Sequence, residues 1–450
     1  MYDLIIIGSG PAGYVAAIRA GQVGLKTAII EKDVIGGMCL NWGCIPSKSM
    51  MESVKLYQRI IKEASRFGID GIDKKEISFN WNKATKRAES IVKKLTTGVE
   101  FLLNKSGVDI LIGEAKIITA TKILVNNQLL ETKNIIISSG SSSPQIECDI
   151  EGVVIEPKEL FKEREIPSEI VIVGKSPVAV ELAQIYSMMD KGVTIISDSA
   201  GVMPKADPYI SNYISKKLQK ERIKLVTNCD ISSIKGIYSD GKLIIEGNEI
   251  PCNLLINAKD RKANIVKSDV AFELQNGHYL VDEHFETSVK GVFAIGDANG
   301  LSMYAHAGSA QGLNVVNRLK GIDNKLDISK IPMNMYTTPE AAQIGQTEPQ
   351  LKASGVDYKV SEFPLSANGK AQTEGTAEGF LRILSETKYG EVLGVQIIAP
   401  NATDMINEAS AYMQLESTVY DIAQTIHTHP TVSEVFMEAG LEAVDKAIHK

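Results

Sequence analysis

Two cysteines, Cys39 and Cys44, stand with four residues between them in Gly36-Gly37-Met38-Cys39-Leu40-Asn41-Trp42-Gly43-Cys44-Ile45-Pro46-Ser47-Lys48. A pair this close can cycle between dithiol and disulfide. It follows directly on Gly8-Ser9-Gly10-Pro11-Ala12-Gly13, a glycine-rich stretch of the kind that holds a dinucleotide's pyrophosphate. Sulfur beside a dinucleotide implies electron pairs passing between thiols and a bound cofactor. Five cysteines in 450 residues do not make a disulfide framework. The expected setting is therefore reducing and cytoplasmic, where a persistent disulfide is catalytic. The scattered Cys148, Cys229 and Cys252 read as small buried apolar residues.

The elements around this pair are legible. Leu4 to Ile7 is an unbroken apolar strand, as a buried parallel strand should be. Gly8 makes the tight turn, Gly10 admits the pyrophosphate, and Gly13 lets the next helix pack on the sheet. That helix, roughly Pro11 to Val23, turns its N-terminal amides to the phosphates. Thr27 to Ile30 is the second strand, and Glu31 at its end can accept both ribose hydroxyls.

The unit repeats. Glu169 to Val173 is again an apolar strand, and Gly174-Lys175-Ser176-Pro177-Val178-Ala179-Val180-Glu181 follows it. Gly174 to Ser197 spans the same 23 positions as Gly8 to Glu31. Two copies imply two dinucleotides. The second copy is degraded: Ser176 replaces the second glycine, Ala179 the third, and Ser197 the ribose acid, with Asp198 adjacent. The fold of a dinucleotide domain is expected there, and ordinary affinity is not.

Composition bounds the rest. A chain of 450 residues suggests roughly three domains of about 150 each. An apolar share of 44% is that of an ordinary globular protein. A net charge of −7 speaks against a nucleic-acid footprint. No apolar run approaches the ~20 residues that span a bilayer. The chain opens inside a strand, which leaves no room for a leader peptide.

Taken together, these motifs resemble the flavin-dependent pyridine nucleotide–disulfide oxidoreductases over nearly the whole chain. The resemblance implies an α/β protein with two Rossmann-like domains, for FAD and NAD, and a C-terminal α+β dimerisation domain. The expected boundaries are 1–144 and 266–330 for a split FAD domain, 145–265 for the NAD domain, and 331–450 for the interface domain. It implies that Cys39 and Cys44 form the active disulfide, Cys39 exchanging with substrate and Cys44 lying against the flavin. Lys48 would sit by the flavin and pair with Glu181. Flavin contacts carry over to Gly8, Gly10, Pro11, Ala12, Gly13, Glu31, Lys32, Gly37, Met38, Lys48, Ala115, Ser139, Gly140, Ser141, Asp297, Met303, Ala305 and His306. Met38 departs from the family's usual threonine. For the nicotinamide the positions are Gly174, Ser197 and Ala258. The family's glycine-arginine-x-proline-asparagine turn is altered here, in Asn257-Ala258-Lys259-Asp260-Arg261-Lys262-Ala263-Asn264.

Thiol exchange needs a base and an acid, and imidazole serves as both near neutral pH. In His427-Thr428-His429-Pro430-Thr431-Val432-Ser433-Glu434 the resemblance makes His429 that base and Glu434 its orienting carboxylate, with His427 structural. The family's histidine reaches across from the other subunit, so a homodimer is implied. The expected partner is a lipoyl-bearing carrier protein of a 2-oxo acid dehydrogenase or glycine-cleavage system. Two alternatives stay open: a related flavin reductase with another thiol substrate or electron acceptor, and a flavoprotein scaffold with a decayed NAD site.

Overall fold

The computed structural model describes residues 1–146, 154–231, 234, 237–238, 240–322 and 325–450; Cys148 lies outside them. The chain forms two compact units. The first holds Met1–Ser168, Gly236–Asp240 and Asn253–Ile328, and the second holds Glu169–Lys235, Gly241–Cys252 and Ser329–Lys450.

In the first unit β1 (Tyr2–Ile7) is the central strand. It pairs in parallel with β2 (Thr27–Glu31) on one side and β6 (Gln128–Ile137) on the other. Both faces of β1 are covered, so Leu4, Ile5 and Ile6 are fully buried and an alternating pattern would fail there. β3 (Asp109–Ile112) extends the sheet beyond β2, and the strand Val292–Ala294 pairs with β6. β6 changes partner along its length. Thr132–Ile137 runs parallel to β1, while Gln128–Glu131 pairs antiparallel with β5 (Lys122–Val125), which in turn pairs with β4 (Ala115–Thr119).

Helix α1 (Pro11–Gln22) crosses the helix Ala305–Leu319 at close range. Small residues permit this: a Cβ added at Gly308 would lie 3.0 Å from Ala12 Cβ, and one at Gly312 would lie 2.8 Å from the Ala12 carbonyl oxygen. Ala12 therefore positions the loop through packing.

In the second unit the strands Glu169–Val173, Gly192–Ile196 and Lys224–Val226 form a parallel trio. Helix α4 (Pro177–Ser187) is buried from Ala179 through Tyr186. The same unit holds a five-stranded antiparallel sheet in the order Met333–Met335, Glu340–Gly345, Val392–Ala399, Phe380–Glu386, Tyr358–Pro364. Helices Ala402–Gln414 and Glu434–Val444 share its core, in which Leu381, Ile397, Ile406 and Phe436 are fully buried. Each such side chain contributes roughly 1.5–3 kcal/mol of burial free energy.

Candidate redox and flavin site

The glycine loop of the first unit is crowded at Gly8, Gly13 and Gly37 and open at Gly10. A Cβ at Gly8 would meet the Ser138 carbonyl oxygen at 2.3 Å, and Gly8 itself has φ +101°. A Cβ at Gly13 would meet the Gly8 carbonyl oxygen at 2.0 Å, and one at Gly37 would meet Gly10 Cα at 2.7 Å. A Cβ at Gly10 would meet nothing within 4 Å. Gly10 caps α1 without any side-chain bond to its amides. Open space in front of an uncapped helix N-terminus fits the pyrophosphate of FAD.

Glu31 is buried and fixes this loop. Its Oε2 accepts from the Ser9 amide at 2.9 Å and from the Ser9 hydroxyl at 2.6 Å, and its Oε1 accepts from the Asp33 amide at 2.9 Å. Carboxylate oxygens have lone pairs beyond these, so ribose binding is compatible with the arrangement. Lys32, next in sequence, is exposed, and Ala115 is buried at the start of β4.

The two cysteines occupy different elements. Cys39 lies in the one-turn helix α2 (Gly37–Asn41), whereas Cys44 opens the nineteen-residue helix α3 (Cys44–Lys62), which also carries Lys48. The break between them is at Gly43, with φ −113° and ψ −110°. Both stand as thiols, and Cys39 is hydrogen-bonded to Cys44. That bond, followed by burial and the charge of Cys44, pushes the Cys39 thiol far above its ordinary value, with Lys48 opposing. Cys44 stands at the first position of α3, where the positive end of the helix dipole lies. The segment is tied to the glycine loop by the Gly36 amide, which donates to the Ser9 carbonyl at 3.0 Å.

A second wall comes from the chain's return through the unit. Ser139 donates to the Asn264 carbonyl at 2.6 Å, and the Asn264 amide donates to the Gly140 carbonyl at 2.9 Å. Ser141 donates to Asp297 at 2.5 Å. Arg261 donates to the Ser141 carbonyl at 2.6 Å and lies 3.4 Å from Asp297. Burial lowers the Arg261 pKa, against the pull of Asp297 and the two cysteines. Its Nε and the Nε2 of Gln311 are buried donors without a partner. Orphaned donors around Asp297 fit a ligand rich in acceptors, such as the flavin's ring and ribityl chain. Sequence reasoning placed Asp297 but passed over Arg261 and Gln311. The short pairing of Lys262–Ala263 with Ser141–Ser142 brings Arg261 there, and no local pattern announces it. Met303 precedes the uncapped helix Ala305–Leu319, and exposed His306 stacks on Tyr304.

In the second unit His429 Nδ1 is 2.8 Å from Glu434 Oε1, and the Thr431 amide donates to Glu434 Oε2 at 2.8 Å. Burial opposes ionisation of Glu434, but the Thr431 amide and His429 outweigh it and hold the carboxyl below its usual range. The His429 side chain is 80% exposed, so its far nitrogen is presented outward. The His429–Pro430 peptide is cis. Glu181 is buried on α4 and accepts from the Tyr336 amide at 3.0 Å.

The second glycine loop is built differently. Gly174 keeps a positive φ of +155°. Ser176 caps α4 without a side-chain bond, and Ser197 is buried with its hydroxyl engaged by Ser199 and the Gly201 carbonyl. Ala258, in the first unit, is buried as well. The residues at 176 and 197 do not fit the usual cradle of NAD.

A Rossmann-type flavin cradle beside a CxxxxC dithiol, with an interface-type α+β region carrying a His–Glu pair, defines a class. The chain belongs to the pyridine nucleotide-disulphide oxidoreductase family, which it matches over residues 2–312, with that family's dimerisation domain over 331–440. Among its relatives, a dihydrolipoyl dehydrogenase of Bacillus subtilis is 35% identical, covering 100% of this chain and 99% of that protein. The mitochondrial dihydrolipoyl dehydrogenase of Bos taurus is 33% identical over 98% of this chain and 90% of its own. A leghemoglobin reductase of Vigna unguiculata is also 33% identical, over 99% and 88%. The fold is shared with LpdA of Mycobacterium tuberculosis, with TM-score 0.88, 22% identity and coverage of 97% and 99%. Among the described residues no helix is long and apolar enough to cross a membrane.

Proposed function

We propose that this chain is a dihydrolipoamide dehydrogenase: a homodimeric, FAD-dependent enzyme that oxidises the dihydrolipoamide of a carrier protein. The carrier would belong to a 2-oxo acid dehydrogenase or glycine-cleavage system, in the cytoplasm. The observation that carries this reading is the contact of Cys39 with Cys44 on neighbouring elements, Cys44 at the start of α3. The working domains are 1–144 with 266–330 for FAD, 145–265 for the dinucleotide, and 331–450 for the interface.

The chemistry follows from the residues. In the oxidised enzyme Cys39 and Cys44 share a disulfide. One thiolate of dihydrolipoamide attacks Cys39 Sγ, and Cys44 leaves as a thiolate that the α3 N-terminus stabilises. The second substrate thiol, deprotonated by His429 of a second copy, attacks its own sulfur in the mixed disulfide. Lipoamide leaves with an intramolecular disulfide, and Cys39 leaves as a thiol that takes its proton from His429. Two electrons now reside on the enzyme's dithiol. Cys39 needs that proton because its surroundings raise its pKa and make its thiolate a poor leaving group. Glu434 holds His429 by Nδ1 and leaves Nε2 for the proton. FAD, when bound, supplies a two-electron carrier between the dithiol and an acceptor. We take that acceptor to be NAD, at a weakened site.

Anaerobic titration of the FAD-loaded protein with dihydrolipoamide tests this. A long-wavelength absorbance should rise with one equivalent of substrate. Cys39→Ser should retain such a band at alkaline pH, and Cys44→Ser should lack it. No band from either the unaltered protein or Cys39→Ser would remove Cys44 from the flavin. A second reading, a reductase with a different electron acceptor, is favoured by the altered loop at Ser176 and Ser197.

A further inference from the structure

We propose that Lys175 and Asp198 are the residues that choose the dinucleotide at the second recess, with Asp198 in the role of ribose acceptor. The inference rests on the reading of this unit as a nicotinamide domain. It begins from the misfit at Ser197 and from a comparison of the chain's two copies of the same unit.

In the first copy the strand-end carboxylate does two jobs. Glu31 Oε1 accepts from the amide two residues on, and Glu31 Oε2 reaches back to Ser9, the residue between the first two glycines of the loop. The second copy keeps the first job and loses the second. Ser197 Oγ accepts from the amide of Ser199, two residues on, at 3.1 Å. A serine has no second oxygen and is two carbons shorter, so Ser197 cannot also reach the loop. The missing cross-link is replaced by a longer one. Lys175, at the position equivalent to Ser9, extends its ammonium to Asp198 Oδ1 at 2.9 Å. Lys175 also anchors the following turn, because its carbonyl accepts from the Met203 amide at 2.7 Å. The loop and the strand end are joined again, one residue further along and by opposite charges.

The consequence is chemical. Ser197 is buried and its hydroxyl is already bonded, whereas the Asp198 side chain is 41% exposed. Asp198 is therefore the carboxylate available to ribose hydroxyls. The same carboxylate repels a 2′-phosphate, as an acid at this place does in general. Lys175 carries the charge that would attract a 2′-phosphate, and the pair cancels it. With the pair intact the recess takes NADH in preference to NADPH. Without Asp198, Lys175 turns the recess toward the phosphorylated dinucleotide.

Calorimetric titration with NADH and NADPH, at low and high salt, tests this on the FAD-loaded protein. Asp198→Asn should weaken NADH by about tenfold and tighten NADPH by about as much, the worth of one charge-assisted contact each. The NADPH gain should fade at high salt. The double variant Lys175→Ala with Asp198→Asn should lose the NADPH gain, because Lys175 supplies it. Binding that ignores Asp198→Asn, or an NADPH gain that survives in the double variant, overturns the proposal while the nicotinamide reading stands. Failure of every variant and of the unaltered protein to bind either dinucleotide, with dihydrolipoamide still reducing the flavin, overturns both.

Discussion

His427 and His429 are two residues apart and have opposite surroundings. The His427 side chain is only 6% exposed, with Nε2 at 2.7 Å from Glu408 and Nδ1 at 3.0 Å from the Thr425 carbonyl. The bond to Glu408, against the opposing effect of burial, raises its pKa above the ordinary 6.5. His427 thus braces the turn in surroundings that favour its imidazolium, while His429 stands exposed. The sign of the linkage follows. A raised folded-state pKa gives stability that is complete below about pH 6.5 and fades as pH rises through the raised value. Glu408→Gln should therefore cost roughly 1–2 kcal/mol in urea denaturation between pH 5 and 6.5, and less at pH 9. An equal loss at both pH values would show His427 to be neutral. The sequence pattern alone could not tell these histidines apart. Glu408 is nineteen residues away on the helix Ala402–Gln414, and only folding brings it to His427.

At the scale of elements, the glycine loop separates two kinds of glycine. Gly13 is needed by the fold, because the Gly8 carbonyl oxygen lies 2.0 Å from where its Cβ would be. Gly10 borders open space and has an ordinary φ of −66°. Gly13→Ala should destabilise the flavin-free protein by roughly 3 kcal/mol, as overpacking against backbone does. Gly10→Ala should leave its denaturation within about 0.5 kcal/mol and weaken FAD binding by about tenfold or more. Equal effects of the two on unfolding would remove the distinction. This loop was legible in the sequence because each glycine answers a steric demand that a strand–turn–helix imposes locally. The dithiol segment was legible too, and Gly43 divides it between two helices. The second copy was legible in fold and only partly in chemistry. Spacing aligned Ser197 with Glu31 correctly, but the residue in between, Lys175, carries the cross-link, and a side chain's reach is not a matter of spacing. Arg261 was missed for a related reason: Lys262–Ala263 pairs with a strand over a hundred residues away.

At the scale of the molecule, the proposed site draws on two chains. The dithiol lies in the first compact unit, and His429 stands exposed in the second, within the region that matches the family's dimerisation domain. If His429 is the base, its 80% exposure and its hold on Glu434 leave its far nitrogen open to a site supplied by another chain. If the donor is a second copy, each dimer has two sites, each with cysteines from one chain and a histidine from the other. His429→Gln should keep flavin and dimer while losing thiol exchange by roughly the 10²–10⁴-fold that a general base supplies. Cys44→Ser should lose it altogether. A heterodimer of these two inactive chains contains one site with both defects and one with neither. Its activity should approach half that of the unaltered dimer per dimer. The chains should be co-expressed with different affinity tags and purified in tandem, so that only mixed dimers are assayed. If His429 instead served its own chain's cysteines, every site in the mixed dimer would carry one defect. A verified heterodimer with no more activity than the His429→Gln parent would place the complete site within one chain.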